Sequence, residues 1–360
     1  MRVAIVGCGQ IADAHLQEIR RVPGAAVVAV CDANAHMAEQ AATRFEVPGV
    51  YTDLDRLLAT AKPDVVHITT PPASHLAIGR KVVEAGAHAY VEKPFTLNLS
   101  EAEELVACAT RAKRLLCVGH SNALDESMLG LLEAYRSGRL GDAVHVEAVM
   151  GYSLTGPFGA LLMGDPNHWI HRLPGGLAQN NISHPLSLML PFLPDERPRV
   201  SAVGLRWRSE RFGDVRDHFH DEIRVMLVGA NTTGSLVFSC RARPVQLYVT
   251  LHGTSAQATA SIDGRSLRVV RGATLPGPFA RVQWNYREHA ETRRELWRRV
   301  NGLLRARLHF FQGMHELIRR FYLAIEGRGE MPIPMAEALR TTRIMDDIFR
   351  SLSDSDEARS

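Results

Sequence analysis

Residues 175–190 read GGLAQNNISHPLSLML, an apolar helical pattern into which Gln179, Asn180, Asn181 and His184 are set. A buried amide or imidazole without a partner costs about 1–3 kcal/mol, so these side chains need partners or a ligand. Asn180 and His184 are four residues apart, which puts them on one helical face, one turn apart. An imidazole, with an ordinary pKa of about 6.5, exchanges protons at neutral pH. A carboxamide cannot, but it donates and accepts hydrogen bonds and so can orient a hydroxyl. Pro185 lacks a backbone donor and predicts a kink in the helix.

A second stretch, VGCGQIA at 6–12, sets Gly7, Gly9 and Ala12 as GxGxxA between an apolar run and a helical one. Gly7 permits a tight turn, Gly9 lets backbone approach a pyrophosphate, and Ala12 is small enough for close helix packing. The helix start at Gln10 and Ile11 favours negative charge. Asp32 ends the next apolar run, where a carboxylate accepts hydrogen bonds from adenosine ribose hydroxyls and repels a 2′-phosphate. The pattern predicts NAD in preference to NADP, with FAD the chief rival dinucleotide. Lys93, in VEKPF at 91–95, follows another apolar run, at the edge where open α/β sheets bind ligands. Burial beside a cofactor lowers a lysine pKa from about 10.4 toward the range useful for proton exchange.

These stretches need a scaffold, and the first 120 residues supply its rhythm. Apolar runs at 3–6, 27–31, 65–69, 89–92 and 115–119 alternate with helical patterns at 11–20, 34–45 and 74–84, and a Ser100/Glu103 capping box opens a further helix. Parallel neighbours need helical crossovers, so the alternation predicts a doubly wound parallel sheet, α/β in class. Beyond residue 120 the runs at 144–150, 222–228, 235–239, 247–252 and 256–262 are separated mainly by turn signals, predicting an open, mainly antiparallel sheet in an α+β second domain. Helical patterns at 310–325 and 336–352 are expected to cover part of it, leaving a face for a neighbouring subunit. The expected division is 1–120, 121–352 and a frayed tail at 353–360.

With 360 residues, 46% hydrophobic and 22% charged, the chain has material for two globular domains. A net charge of +3 leaves no nucleic-acid footprint. The five cysteines are an odd number without a CxxC, as expected of reduced thiols in a cytoplasm. The first residues lack the pattern of a secretory leader, and no apolar run approaches the roughly 20 residues of a membrane span, so a soluble protein is expected.

VGCGQIA, TTPPASHLAIG at 69–79, VEKPF and GGLAQNNISHPLSLM together resemble the successive motifs of the glucose-fructose oxidoreductase, inositol dehydrogenase and MocA family, and SGRLGD at 137–142 and the HGTSAQATASIDG hairpin extend the resemblance. The resemblance implies a Rossmann domain followed by a domain with a large open sheet through which subunits pair as homodimers or homotetramers. It implies hydride exchange between nicotinamide and a secondary alcohol of a sugar, sugar nucleotide or cyclitol. It places Thr70, Pro71, His75 and Glu92 with Lys93 at the cofactor, Lys93 beside the reacting hydroxyl, and His120 at a cofactor or substrate contact; a cis Lys93–Pro94 bond is frequent in the family. Asn180 stands where the family has an Asp, and Ile182 and Ser187 replace a common Gly and Asp.

The expected catalytic set is therefore Lys93, His184 and Asn180. Upstream, DPNHWIHRLPGG at 165–176 offers Trp169 to stack on a sugar ring, Arg172 to hold a carboxylate or phosphate, and His168 beside them as substrate contacts. Its HxxH spacing lacks a third ligand, so no metal is expected. His218 and His220 read as surface residues. The Arg-rich stretch 287–307, partly neutralised by Glu288, Glu291 and Glu295, reads as a solvated helical face. Two further functional readings stay open: a dinucleotide-binding sensor without turnover, motivated by Asn180, and glycoside cleavage assisted by bound NAD.

Overall fold

The computed structural model describes residues 1–165, 167–206, 220–304 and 311–357; His218, Arg305, Arg307 and the tail at 358–360 lie outside the described residues. The chain forms two compact units, Met1–Ser121 with Phe311–Asp346, and Asn122–Phe310 with Asp347–Ser360. Residues 311–346 thus join the first unit, whereas the sequence reading put them with the second domain.

The first unit alternates β1 (Arg2–Val6), α1 (Gln10–Arg20), β2 (Ala26–Cys31), α2 (Ala35–Phe45), β3 (Gly49–Tyr51), α3 (Leu54–Ala61), β4 (Val65–Ile68), α4 (His75–Glu84), β5 (His88–Val91), α5 (Leu99–Ala112) and β6 (Leu116–Val118). The strands pair in parallel in the order β3-β2-β1-β4-β5-β6. This is the doubly wound dinucleotide-binding order, whose ligand crevice lies at the carboxyl ends of the strands where the order reverses, here between β1 and β4. Val3–Val6 and Val65–Ile68 are buried throughout, as expected of strands covered on both faces. The helix α5 is capped by Asn98, which accepts from the Glu101 amide, and Glu101 Oε2 accepts from the Leu97 amide; the expected Ser100/Glu103 box is displaced by this pair at the same spacing.

The second unit contains α6 (Glu126–Arg136), β7 (Ala143–Gly151), α7 (Pro157–Gly164), α8 (Gly176–Asn181), α9 (Ser183–Met189), β8 (Arg199–Leu205), β9 (Glu222–Val228), β10 (Thr233–Ser239), β11 (Leu247–Gly253), β12 (Ala256–Ser261), β13 (Ser266–Arg271) and α10 (Pro278–Leu304). Its strands form a sheet ordered β13-β12-β11-β7-β10-β9-β8. Every pairing is antiparallel except β7 with β10, where chain segments far apart in sequence meet side by side. Ile223, Val225, Leu236, Phe238, Val249 and Leu251 are buried on one face. The other face leaves Val203 at 38% and Met226 at 44% exposure, as an open sheet surface should.

Two last helices follow, α11 (Gln312–Ile325) in the first unit and α12 (Met335–Glu357), whose start belongs to the first unit and whose end to the second. The helix runs through 353–357, correcting the expectation that the chain frays from residue 353. Among the described residues no helix is long and apolar enough to cross a membrane.

Candidate active site

In the first unit, the turn from β1 into α1 has the form the sequence predicts. Gly7 sits at φ +94°, and a Cβ there would lie 2.7 Å from the Thr70 amide nitrogen, so the turn presses against the end of β4 and requires glycine twice over. Around the missing Cβ of Gly9, by contrast, there is nothing within 4 Å. Gly9 caps α1 without any side-chain hydrogen bond. Gln10 is exposed and Ile11 half-buried, while Ala12 is fully buried where the helix packs. Open space over uncapped first-turn amides is what a pyrophosphate needs, and the residues present fit a dinucleotide.

Asp32, half-buried at the end of β2, accepts from the Cys8 amide at 2.7 Å and from the Asn34 amide at 2.8 Å. Each oxygen keeps a lone pair for a ribose hydroxyl, and the bonds fix the carboxylate beside the turn. Thr70 and Pro71, after β4, are half-buried and exposed on the same edge of the sheet. His75 differs from the expected cofactor contact. It is fully buried, with Nδ1 3.0 Å from the Phe95 carbonyl and Nε2 2.8 Å from the Thr70 carbonyl. Its ring ties the loop after β4 to the segment after Pro94 and has no surface left for a ligand.

Lys93 follows β5, and its peptide bond to Pro94 is cis. The side chain is half-buried, and burial holds its ammonium below the ordinary lysine range, against the opposing pull of the Glu92 carboxylate. Glu92 is 6% exposed. Burial alone would push its carboxyl up, yet the hydrogen bond from His15, with the charge of Lys93 and the hydrogen bond from the Lys93 amide, holds it below the usual range. Its Oε2 accepts from the Lys93 amide at 3.1 Å and its Oε1 lies 3.0 Å from His15 Nε2. A Cβ on Gly119 would lie 2.7 Å from Glu92 Oε1, so the strand end next door leaves room for this carboxylate by being glycine. His120, 3% exposed, follows directly; burial pushes it down to about 4, with Glu92 pulling up and Lys93 down. Neutral imidazole is therefore what His120 presents at pH 7.

In the second unit, the helix expected to kink near Pro185 is two short ones, α8 and α9, meeting at Ile182, with Pro185 in the first turn of α9. The four polar residues of the opening stretch divide cleanly. Gln179 and Asn181 are buried and spent locally: Gln179 Oε1 accepts from the Gly175 amide at 2.9 Å, and Asn181 Nδ2 donates to the Leu177 carbonyl at 2.9 Å. Asn180, His184 and Ser187 are half-buried among fully buried neighbours, a polar stripe at i, i+4 and i+7. Asn122 Nδ2 donates to His184 Nδ1 at 3.2 Å, which leaves the proton of a neutral ring on Nε2. Sequence reasoning missed Asn122; an asparagine after a short strand carries no signal of its own.

His168 caps the 3-10 turn Trp169–Arg172, with Nδ1 accepting from the Ile170 amide at 3.4 Å. Its ring is 5.4 Å from that of Trp169. Arg172 is exposed and donates to the Asn167 carbonyl at 3.2 Å. His220 is half-buried, not fully exposed.

Residues 1–120 match the model of the GFO_IDH_MocA family, described as an oxidoreductase family with an NAD-binding Rossmann fold. Among curated relatives, the chain is 32% identical over 138 residues to a D-apiose dehydrogenase of Paraburkholderia graminis, covering 38% of this chain and 37% of that protein. It is 28% identical over 273 residues to a glycosyl hydrolase family 109 protein of Streptomyces niveus, covering 69% of this chain and 53% of that one. The matched part thus spans about a third to a half of the length of these relatives. Among solved structures, the WlbA dehydrogenase of Bordetella pertussis, crystallised with NADH and UDP-GlcNAcA, shares the fold at a TM-score of 0.77 and 19% identity, over 99% of this chain and 96% of that one. Residues 1–120 are thus similar to the NAD-binding Rossmann portion of the GFO_IDH_MocA oxidoreductase family.

Proposed function

We propose that this chain is an NAD-dependent dehydrogenase or reductase that interconverts a secondary alcohol and a ketone on a sugar, sugar nucleotide or cyclitol. The observation that carries the reading is the pairing of an open turn at Gly9 with a half-buried lysine, held below the ordinary range by desolvation, at the same sheet edge. Gly9, Gln10 and Ile11 hold the pyrophosphate, and Asp32 holds the ribose hydroxyls and disfavours NADP. When bound, NAD supplies the hydride acceptor and NADH the donor. Lys93 takes the hydroxyl proton as the carbinol C–H bond gives up its hydride, and returns it in the reverse direction. His184, protonated on Nε2, hydrogen-bonds the reacting hydroxyl, Asn180 orients it, and Trp169 and Arg172 bind the rest of the substrate. The partly exposed sheet face around Val203 and Met226 serves homo-oligomer formation in the cytoplasm.

The test is a thermal-shift screen with NAD, NADH, NADP and a library of sugars, nucleotide sugars and cyclitols, followed by NADH formation with each binder. Specific ligands raise the unfolding temperature by mass action. NAD and at least one sugar-like compound should do so and react together; stabilisation by NADP alone, or by no dinucleotide, overturns the reading. A second reading, glycoside cleavage using bound NAD as a transient oxidant, is favoured by the extent of the match to the family 109 protein. Free sugar released without net NADH distinguishes it.

A further inference from the structure

An unbroken row of hydrogen bonds runs through the interior of the first unit. Tyr322 Oη lies 2.8 Å from His67 Nε2, His67 Nδ1 lies 2.8 Å from His15 Nδ1, and His15 Nε2 lies 3.0 Å from Glu92 Oε1. His15 and His67 are wholly buried, Tyr322 is 3% exposed, and Tyr90 stacks flat on His67 at 4.6 Å. The row joins α11, β4, α1 and the end of β5, so three elements of the unit converge on the residue before Lys93.

Counting protons gives the row one direction. The Glu92 carboxylate only accepts, so His15 Nε2 donates to it. The bare Nδ1 of His15 then accepts from His67 Nδ1–H, and the bare Nε2 of His67 accepts from the Tyr322 hydroxyl. Every hydrogen is used and every one points toward Glu92. Protonating Glu92 on Oε1 turns both imidazoles round and strands the Tyr322 hydroxyl hydrogen, for which no other acceptor occurs among the described residues, whereas protonating it on Oε2 leaves the row's direction intact but gives His15 Nε2–H a neutral, weaker acceptor. Placing an extra proton on His15 strands the same hydrogen. A buried donor left without an acceptor is penalised and a charge-assisted hydrogen bond is the stronger one, so the row favours the arrangement that keeps Glu92 ionised.

We propose that His15, His67 and Tyr322 are positioning residues that hold Glu92 as a carboxylate beside Lys93 and thereby set how tightly the Lys93 amine binds its proton. Four further titratable groups that sense Glu92 within the unit are uncharged at neutral pH: burial keeps the Tyr90 hydroxyl and the Cys117 thiol protonated and the His75 and His120 imidazoles neutral. Burial of His67 and of Tyr322 likewise favours the neutral forms that the proton count requires. Glu92 opposes desolvation at Lys93, and Tyr322 is a remote handle on Glu92.

The inference rests on Lys93 as the proton-exchanging amine, but its test needs neither cofactor nor substrate. The chain has four lysines, Lys62, Lys81, Lys93 and Lys113. Labelling the intact protein with [13Cε]lysine resolves their amines, and Lys93→Arg identifies one signal by its loss. In the wild type the Lys93 signal should titrate below the other three. Glu92→Gln should weaken proton binding at Lys93 by about tenfold or more, and Tyr322→Phe and His67→Asn by about threefold or more in the same direction, with the other lysines unmoved. A Lys93 midpoint unchanged or raised in the two relay variants overturns the proposal, as does one unmoved by Glu92→Gln. Should Tyr322→Phe not fold, His67→Asn is read in the same way and decides. Because turnover is not measured, failure here leaves hydride transfer standing, and a protein that oxidises no sugar still gives a readable titration.

Discussion

The two units handle polar side chains in opposite ways. In the first, Glu92, His15, His67, His75 and His120 are almost wholly removed from water, and the first four are tied to one another or to backbone carbonyls. In the second, Asn180, His184 and Ser187 form a half-buried stripe while their polar neighbours Gln179 and Asn181 are spent inside the helix. Burial fixes protonation states, because desolvation penalises the charged form; partial exposure leaves a side chain within reach of a ligand. The proposed function follows this contrast, with proton chemistry in the first unit and recognition in the second.

The sharpest way to break this division is to remove the amine. Lys93→Met should lower kcat by about a hundredfold to ten-thousandfold with little change in NAD binding, measured by steady-state kinetics and calorimetry. If His184→Ala cost kcat as much and left KM unchanged, proton chemistry would belong to both units. A smaller loss is expected from Asn180→Ala, which should raise KM by about tenfold for one hydrogen bond lost, leaving kcat nearly unchanged.

Acid should separate the units in stability. Burial holds His67, His75 and His120 below the ordinary imidazole pKa, so the unfolded chain binds more protons than the folded one in the interval between the two values. Their contribution is complete above a pH of about 6.5 and is lost as pH falls from there toward the folded values, about 4 for His120. His120 alone accounts for about 3 kcal/mol across that interval. His145 and His168 of the second unit, half-buried, are also lowered by burial. Hydrogen exchange at pH 7.5 and at pH 5 should show opening in β4 and α4 well before the sheet of the second unit. Equal loss in both units contradicts the contrast.

Gly7→Ala gives the smallest effect that still reports on the turn. It forces a side chain into a left-handed backbone and against the Thr70 amide, at a cost of about 1–3 kcal/mol read as a lower Tm and weaker NAD binding together.

The legibility of these features in the sequence follows the same line. The GxGxxA turn, Asp32 and Lys93 are visible because backbone geometry and strand position demand particular residue types at fixed places. The strand β3 was not visible: three residues, none fully buried, carry too little pattern. Nor was β8, a sheet-edge strand. His75 has a clear place in its motif, yet its work is to join two loops, which no local pattern reveals. The row from Tyr322 to Glu92 joins residues as far apart as 255 positions, and only the folded unit brings them into line. The break at Ile182 follows from Pro185, as the missing amide predicts.

The central claim is that the Lys93 amine exchanges the alcohol proton during hydride transfer. Single-turnover stopped-flow mixing of NAD-loaded protein with a sugar found by the ligand screen tests it most directly, comparing wild type with Lys93→Met. Rapid NADH formation in the wild type and its near abolition in the variant, with NAD still bound, is the predicted result; equal rates in the two proteins would contradict it.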